Sequence, residues 1–102
     1  MKKIISISDV YEEKNKGIVI AGVNSELDAL PLAKVKEWLG DFVFLNKEKM
    51  SELRLKVIDV DCSTSIANKK NIFILISYDG DIDNIKSYIQ GDASTEYQFD
   101  NP

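Results

Sequence analysis

Asp59 and Asp61 stand two residues apart in the segment Leu53-Arg54-Leu55-Lys56-Val57-Ile58-Asp59-Val60-Asp61-Cys62. On an extended strand that spacing puts both carboxylates on one face, as a general acid–base pair requires. No histidine accompanies them, because the 102-residue chain contains none. A solvated strand face is the ordinary reading, and a carboxylate-based hydrolase is the least supported of the functional readings. Cys62 falls in the apolar phase of Ile58 and Val60; with no imidazole to activate its thiol, it reads as a small hydrophobe. Asp79-Gly80-Asp81-Ile82-Asp83 reproduces the first three ligand positions of a calcium loop. Asn84 then stands where that loop turns on glycine, and Gln90 where a bidentate glutamate closes it. Asp81 or Asp83 is better read as the cap of a short helix, with its charge favouring the N-terminal dipole. Trp38, Phe42 and Phe44 are close enough to form an exposed anchor, although core packing is the commoner use of so short an apolar stretch. No catalytic residue, metal ligand or cofactor is therefore expected.

The missing histidine also removes Ser-His and Cys-His nucleophile pairs and most zinc and iron sites. Thirteen Lys+Arg against seventeen Asp+Glu give a net charge of −4. That balance argues against a nucleic-acid binder held by phosphate contacts and suits solubility or a basic protein partner. A single cysteine cannot form an internal disulfide, so a reducing cytoplasm is the expected setting. No window approaches the ~20 apolar residues of a membrane span, and no membrane partner is expected. If the acidic balance is functional, the candidate contacts are Glu12 and Glu13 on the first hairpin and Asp79, Asp81 and Asp83 near the C-terminal turn.

The elements that must position these groups are mainly strands within one domain, residues 1–102. Residues 4–11 alternate, with Ile5 and Ile7 on one face and Val10 and Tyr11 closing the run. Asn15-Lys16-Gly17 supplies residues that tolerate positive φ, predicting a hairpin into Ile18–Val23. Pro31 at the first helical position, Leu32, Val35, Trp38-Leu39 and Gly40 fit a helix over 31–39; an irregular excursion between strands is the alternative. Phe42–Leu45 reads as a short strand. Leu53–Val57 alternates, then the apolar phase shifts to Ile58, Val60 and Cys62, which predicts a β-bulge near Val57-Ile58. Five successive apolar residues, Ile72–Ile76, predict a central strand covered on both faces. Asp79–Gln90 reads as a turn and a short helix with Ile82, Ile85 and Ile89 on one side. Residues 91–102 form a C-terminal tail contributing a last strand over Thr95–Phe99, with Asp100–Pro102 fraying. Six or seven short strands with a phase-shifting bulge make the expected fold an all-β, small antiparallel Greek-key-type barrel with one or two short helices.

Ile7-Ser8-Asp9-Val10-Tyr11 followed by Lys16-Gly17-Ile18-Val19-Ile20-Ala21-Gly22 resembles the opening hairpin of the second, β-barrel domain of translational GTPases such as elongation factor Tu. That family's pattern runs Ile-x-Asp-Val-Phe, a short turn, then Arg-Gly-Thr-Val-Val-x-Gly. Leu39-Gly40-Asp41-Phe42-Val43-Phe44-Leu45 is similar to its Gly-Asp-x-Val-x-Ile strand, and Asn71-Ile72-Phe73-Ile74-Leu75-Ile76 to its Asn-Val-Gly-Leu-Leu-Leu strand. Asp83-Asn84-Ile85-Lys86 stands where the family has an acidic turn containing an isoleucine. The resemblance covers roughly residues 4–90. It departs at Asn15, which replaces a turn glycine, at the longer link Leu27–Trp38, and at Asn68-Lys69-Lys70 in place of a glycine-rich turn. No Gly-x-x-x-x-Gly-Lys-[Ser/Thr] occurs, so the resemblance is to a stand-alone barrel without the GTP-binding domain. In tRNA-carrying members the second domain receives the aminoacylated 3′ end near the positions matched here by Asp9, Lys16 and Asn71. Ser8 replaces the family's acid, and Lys16 replaces a bidentate arginine, so the resemblance implies the place of a binding face and not its ligand.

Two functional classes follow. One is a non-catalytic interaction module that touches translation machinery or mimics a translation factor's barrel. The other is a small immunity or antitoxin-type protein that masks a basic, nuclease-like toxin domain.

Overall fold

In a computed structural model that describes residues 2–95, six antiparallel strands close into a barrel in the order β1-β2-β5-β4-β3-β6. They are β1 (Lys2–Glu13), β2 (Gly17–Val23), β3 (Phe42–Asn46), β4 (Leu53–Thr64), β5 (Lys70–Ser77) and β6 (Asp92–Thr95). β3, β4 and β5 follow one another as neighbours, while β2 lies beside β5 after a long connection, the Greek-key arrangement. The all-β barrel expected from the strand pattern is thus the fold, with six strands and two short helices, α1 (Leu32–Leu39) and α2 (Ile82–Lys86).

Local chemistry accounts for the bends. The first hairpin turns on Asn15 at φ 64°, closed by the Lys16 amide donating to the Glu13 carbonyl at 3.0 Å; asparagine tolerates that left-handed region better than most residues. The anticipated bulge in β4 is present: the register with β5 slips between Val57 and Asp59. Ile58 is the extra residue and is 53% exposed, so it does not share the inward phase of Val60 and Cys62. β1 carries two further bulges, between Ile7 and Asp9 against β2 and between Lys3 and Ile5 against β6. The second lets two successive isoleucines, Ile4 and Ile5, both bury completely.

Each end of the barrel is plugged. At one end Leu27, Val35 and Leu39 are fully buried beneath the 24–39 connection and α1. Lys70, itself buried, donates from its amine to the Leu30 carbonyl and from its amide to Asp28 Oδ1 at 3.0 Å, pinning that connection to β5. The Thr95 hydroxyl donates to the Leu39 carbonyl at 2.9 Å and ties α1 to β6. Pro31 is the N-cap of α1 and not its first helical residue; Gly40, at φ 69°, ends it. At the other end α2 packs on β1 and buries Ile85, with Tyr88 beneath it donating to the Ser51 carbonyl.

One further expectation needs correction. β5 is buried on its inner face only: Ile72, Ile74 and Ile76 are fully covered, whereas Phe73 and Leu75 are half-exposed on the outside. The last described strand is Asp92–Thr95, and the anticipated Thr95–Phe99 strand runs past it. The small polar residues of β6 hold a strand because β1 and β3 flank them on both sides, burying Ser94 and Thr95. Glu96–Phe99, and the expected fraying of Asp100–Pro102, lie outside the described residues.

Candidate functional site

The half-exposed apolar residues of β5 are continuous with those of its neighbours. Directly paired residues of an antiparallel sheet point the same way, so the registers lay out two outward rows across four strands. One row is Tyr11–Val19–Leu75–Asp59 and the next is Asp9–Ala21–Phe73–Asp61, each read across β1, β2, β5 and β4. Val19, Leu75 and Phe73 floor a trough of about 220 Å³, with Tyr11 and Glu13 on the β1 side, Asp59 and Asp61 on the β4 side, and Lys16 at the hairpin end. Val19 is only 2% exposed despite facing outward.

The carboxylates beside this floor are held by their own backbone. Asp9, Asp59 and Asp61 each accept, through Oδ1, the amide of the following residue at 2.8 Å. For Asp9 and Asp59 the aspartate comes immediately after a bulge, where the ladder is interrupted and the next amide needs an acceptor. Asp59 also pairs with Lys36 Nζ of α1 at 3.1 Å. Among the described residues neither Asp9 nor Asp61 has an ion pair.

These contacts set the local titration. The Val60 amide bond first, and Lys36 second, hold the Asp59 carboxyl below its ordinary value of 3.8. Such a group is a poor proton donor or base near neutrality, which argues against the acid–base reading of Asp59. Whatever stability the ionised form contributes is present above the ordinary value and disappears as pH falls through the depressed one. Replacing Lys36 by methionine should raise the Asp59 pKa yet leave it below 3.8, because the Val60 amide remains. Carboxyl-carbon NMR titration checks this, and full return to the ordinary value would show that Lys36 alone sets the shift. Burial, with help from Glu13 and Asp9, pushes the Tyr11 phenol up. Burial likewise pushes up the half-buried Cys62 thiol, on the inner side of β4.

The structure scatters the residues matched to the translation-factor face. Asp9 is exposed in β1 opposite Ala21, Lys16 lies in the hairpin turn 3.4 Å from Glu13, and Asn71 is half-buried opposite Val23. Gly17 and Val23 are the two ends of β2, so Lys16 and Asn71 stand about 20 Å apart at ~3.3 Å per residue. The acidic candidates instead gather at one end. Ile18 pairs with Ile76, placing the β1–β2 turn with Glu12 and Glu13 at the same end as the β5–α2 loop with Asp79, Asp81 and Asp83. Only Glu13 of these five lines the trough. Asp81 is the N-cap of α2, accepting from the Asp83 amide at 3.0 Å. Among the described residues no group of three or more His, Cys, Asp or Glu side chains comes together, so the calcium-loop spacing does not converge on a point.

Tyr11, Val19, Phe73 and Leu75 are the site residues that sequence reading misses. The available signal is the run Ile72–Ile76, which holds more apolar residues than one inward face needs. Comparison with protein-family models, with curated proteins and with solved structures returns no match to this chain, leaving the geometry of the trough to carry the functional reading.

Proposed function

We propose that this chain is a non-catalytic binding module that receives a basic protein partner on the trough formed by β1, β2, β5 and β4. The observation that carries this is an apolar floor with carboxylates on both flanks. Apolar burial supplies affinity, and the fixed charges supply orientation and partner choice. At about 220 Å³ the trough is smaller than the roughly 300–1,000 Å³ of small-molecule sites and suits a few protein side chains. Net charge −4 attracts a basic partner at long range. Among the described residues no helix is long and apolar enough to cross a membrane; a reducing cytoplasm is the proposed setting, from the lone cysteine.

The resemblance to a translation-factor barrel makes translation machinery one source of such a partner. The same acidic rim favours a second reading, an immunity-type protein masking a basic nuclease-like domain. Capture from native lysate with wild type and with the double variant Asp9→Lys/Asp61→Lys tests both. A ribosomal or elongation-factor partner retained only by wild type supports the first source, and a toxin fragment so retained supports the second. Equal capture by both proteins overturns the trough as the binding surface.

A further inference from the structure

We infer that the occupant of the trough is a basic amphipathic α-helix of the partner, seated along the strands with its apolar stripe on Val19, Phe73 and Leu75 and its flanking lysines or arginines reaching Asp9 on one side and Asp61 on the other. The inference rests on the reading above that the trough binds protein, and adds the conformation and charge pattern of what binds.

The strand edges disfavour one common mode. A partner strand is usually added at an exposed sheet edge, where its backbone pairs. The ladder is one-sided in β1 past Ile7 and in β4 past Val57, but there the amides of Val10, Val60 and Cys62 are already taken by Asp9, Asp59 and Asp61, which blunts such pairing. An extended segment laid across the outer face would press its amides and carbonyls onto Val19, Leu75 and Phe73 without partners, which is costly. A helix satisfies its backbone internally and offers only side chains.

The width agrees. Asp9 on β1 and Asp61 on β4 belong to one row, separated by three strand spacings. At ~4.8 Å each, the rims stand about 14 Å apart measured along the curved sheet, an upper bound that still admits a helix of roughly 10–12 Å diameter between them. An extended chain is narrower and would leave one rim unpaired. On β1 the trough is lined by Glu13 and Tyr11, and Asp9 follows in the outward row of Ala21 and Phe73; from Glu13 to Asp9 is about 13 Å or between two and three helical turns, which accommodates apolar anchors at i, i+3 or i+4, and i+7.

Charge selects the flanks. Asp9 and Asp61 are without ion pairs among the described residues, and each is already fixed by its neighbour's amide, so little side-chain freedom is lost on binding. Asp59 is engaged by Lys36, and an incoming cation competes with that lysine for it.

The test uses the full chain and three synthetic probes of about 18 residues, long enough to hold a helix. The first carries leucines at three- and four-residue spacing with lysines on both flanks; the second replaces those lysines with glutamate; the third alternates leucine and lysine as an extended segment. Amide and methyl NMR shifts locate binding. The inference expects the first probe to perturb Tyr11, Val19, Phe73 and Leu75. Asp9→Asn/Asp61→Asn should weaken its binding about tenfold, from two lost charge contacts, and the glutamate probe should fail. Preference for the alternating probe, with shifts in the same trough, overturns the helix while leaving protein binding there intact. Shifts confined to another surface, or none with any probe at millimolar concentration, overturn both. Phe73→Ser on the outer face is the second variant, expected to abolish binding with the fold's amide spectrum retained; unaltered binding overturns the assigned floor.

Discussion

Alanine at position 22 is expected to cost more than about 3 kcal/mol of folding stability, a large share of the roughly 5–15 kcal/mol typical of a domain. A Cβ on Gly22 would lie 2.1 Å from the Ser6 carbonyl oxygen and 2.9 Å from Ile5 Cδ1. The first of these is backbone, so no rotamer change can yield, and β1 would have to lift from β2 beside its Ile7–Asp9 bulge. Gly40→Ala is the contrast. Its Cβ meets nothing within 4 Å, but its φ of 69° is strained for alanine, a cost of about 1–2 kcal/mol. Urea midpoints at unchanged slope measure both. Equal losses for the two variants would mean that the close approach of the Ser6 carbonyl does not dictate glycine at 22.

Ile85→Ala is expected to cost about 2–5 kcal/mol, the range for truncating a buried aliphatic side chain. Ile85 is fully buried on α2, which has five residues. A helix so short does not persist in water on its own, so its existence depends on what it buries. Loss of that anchor should therefore release a region as well as lower the total. Hydrogen exchange should show residues 82–91 losing protection first, while the β2–β5 ladder keeps its own. Loss of protection in equal steps everywhere would show that α2 and the barrel form one cooperative unit.

What could be read from sequence was whatever a local rule encodes. Asn15 and Gly17 announce the first hairpin, the phase shift past Val57 announces the β4 bulge, and Gly40 announces the end of α1. The β1 bulge carries the same signal, since the inward phase moves from Ile5 and Ile7 to Val10, but a terminal Val-Tyr pair made it look like the close of one regular run. β6 has no apolar alternation to read; Asp92-Ala93-Ser94-Thr95 is a strand only because two neighbours hold it. The trough was hidden for a different reason. Its floor exists because β5 inserts between β2 and β4, and that pairing is non-local. Alternation along one strand says which residues face outward, but not whose outward residues will lie beside them. The two-residue spacing of Asp59 and Asp61 does put both on one exposed face of β4, and their surroundings make them a rim of the trough.

The seam of the barrel has a consequence for how the chain folds. Lys2 pairs with Thr95, and Ser6 with Asp92, so the ladder that completes the ring joins the first strand to the last. During synthesis at about 5–20 residues per second, β1 emerges seconds before β6, the strand that pairs along its Lys2–Ser6 edge. Through that interval β1 and β3 both present unpaired backbone, the template on which strands from separate chains join. The hazard in this molecule is thus one of timing, carried by a nascent chain in which the Lys2–Ser6 edge of β1 and the Phe44–Asn46 edge of β3 stay open until β6 arrives.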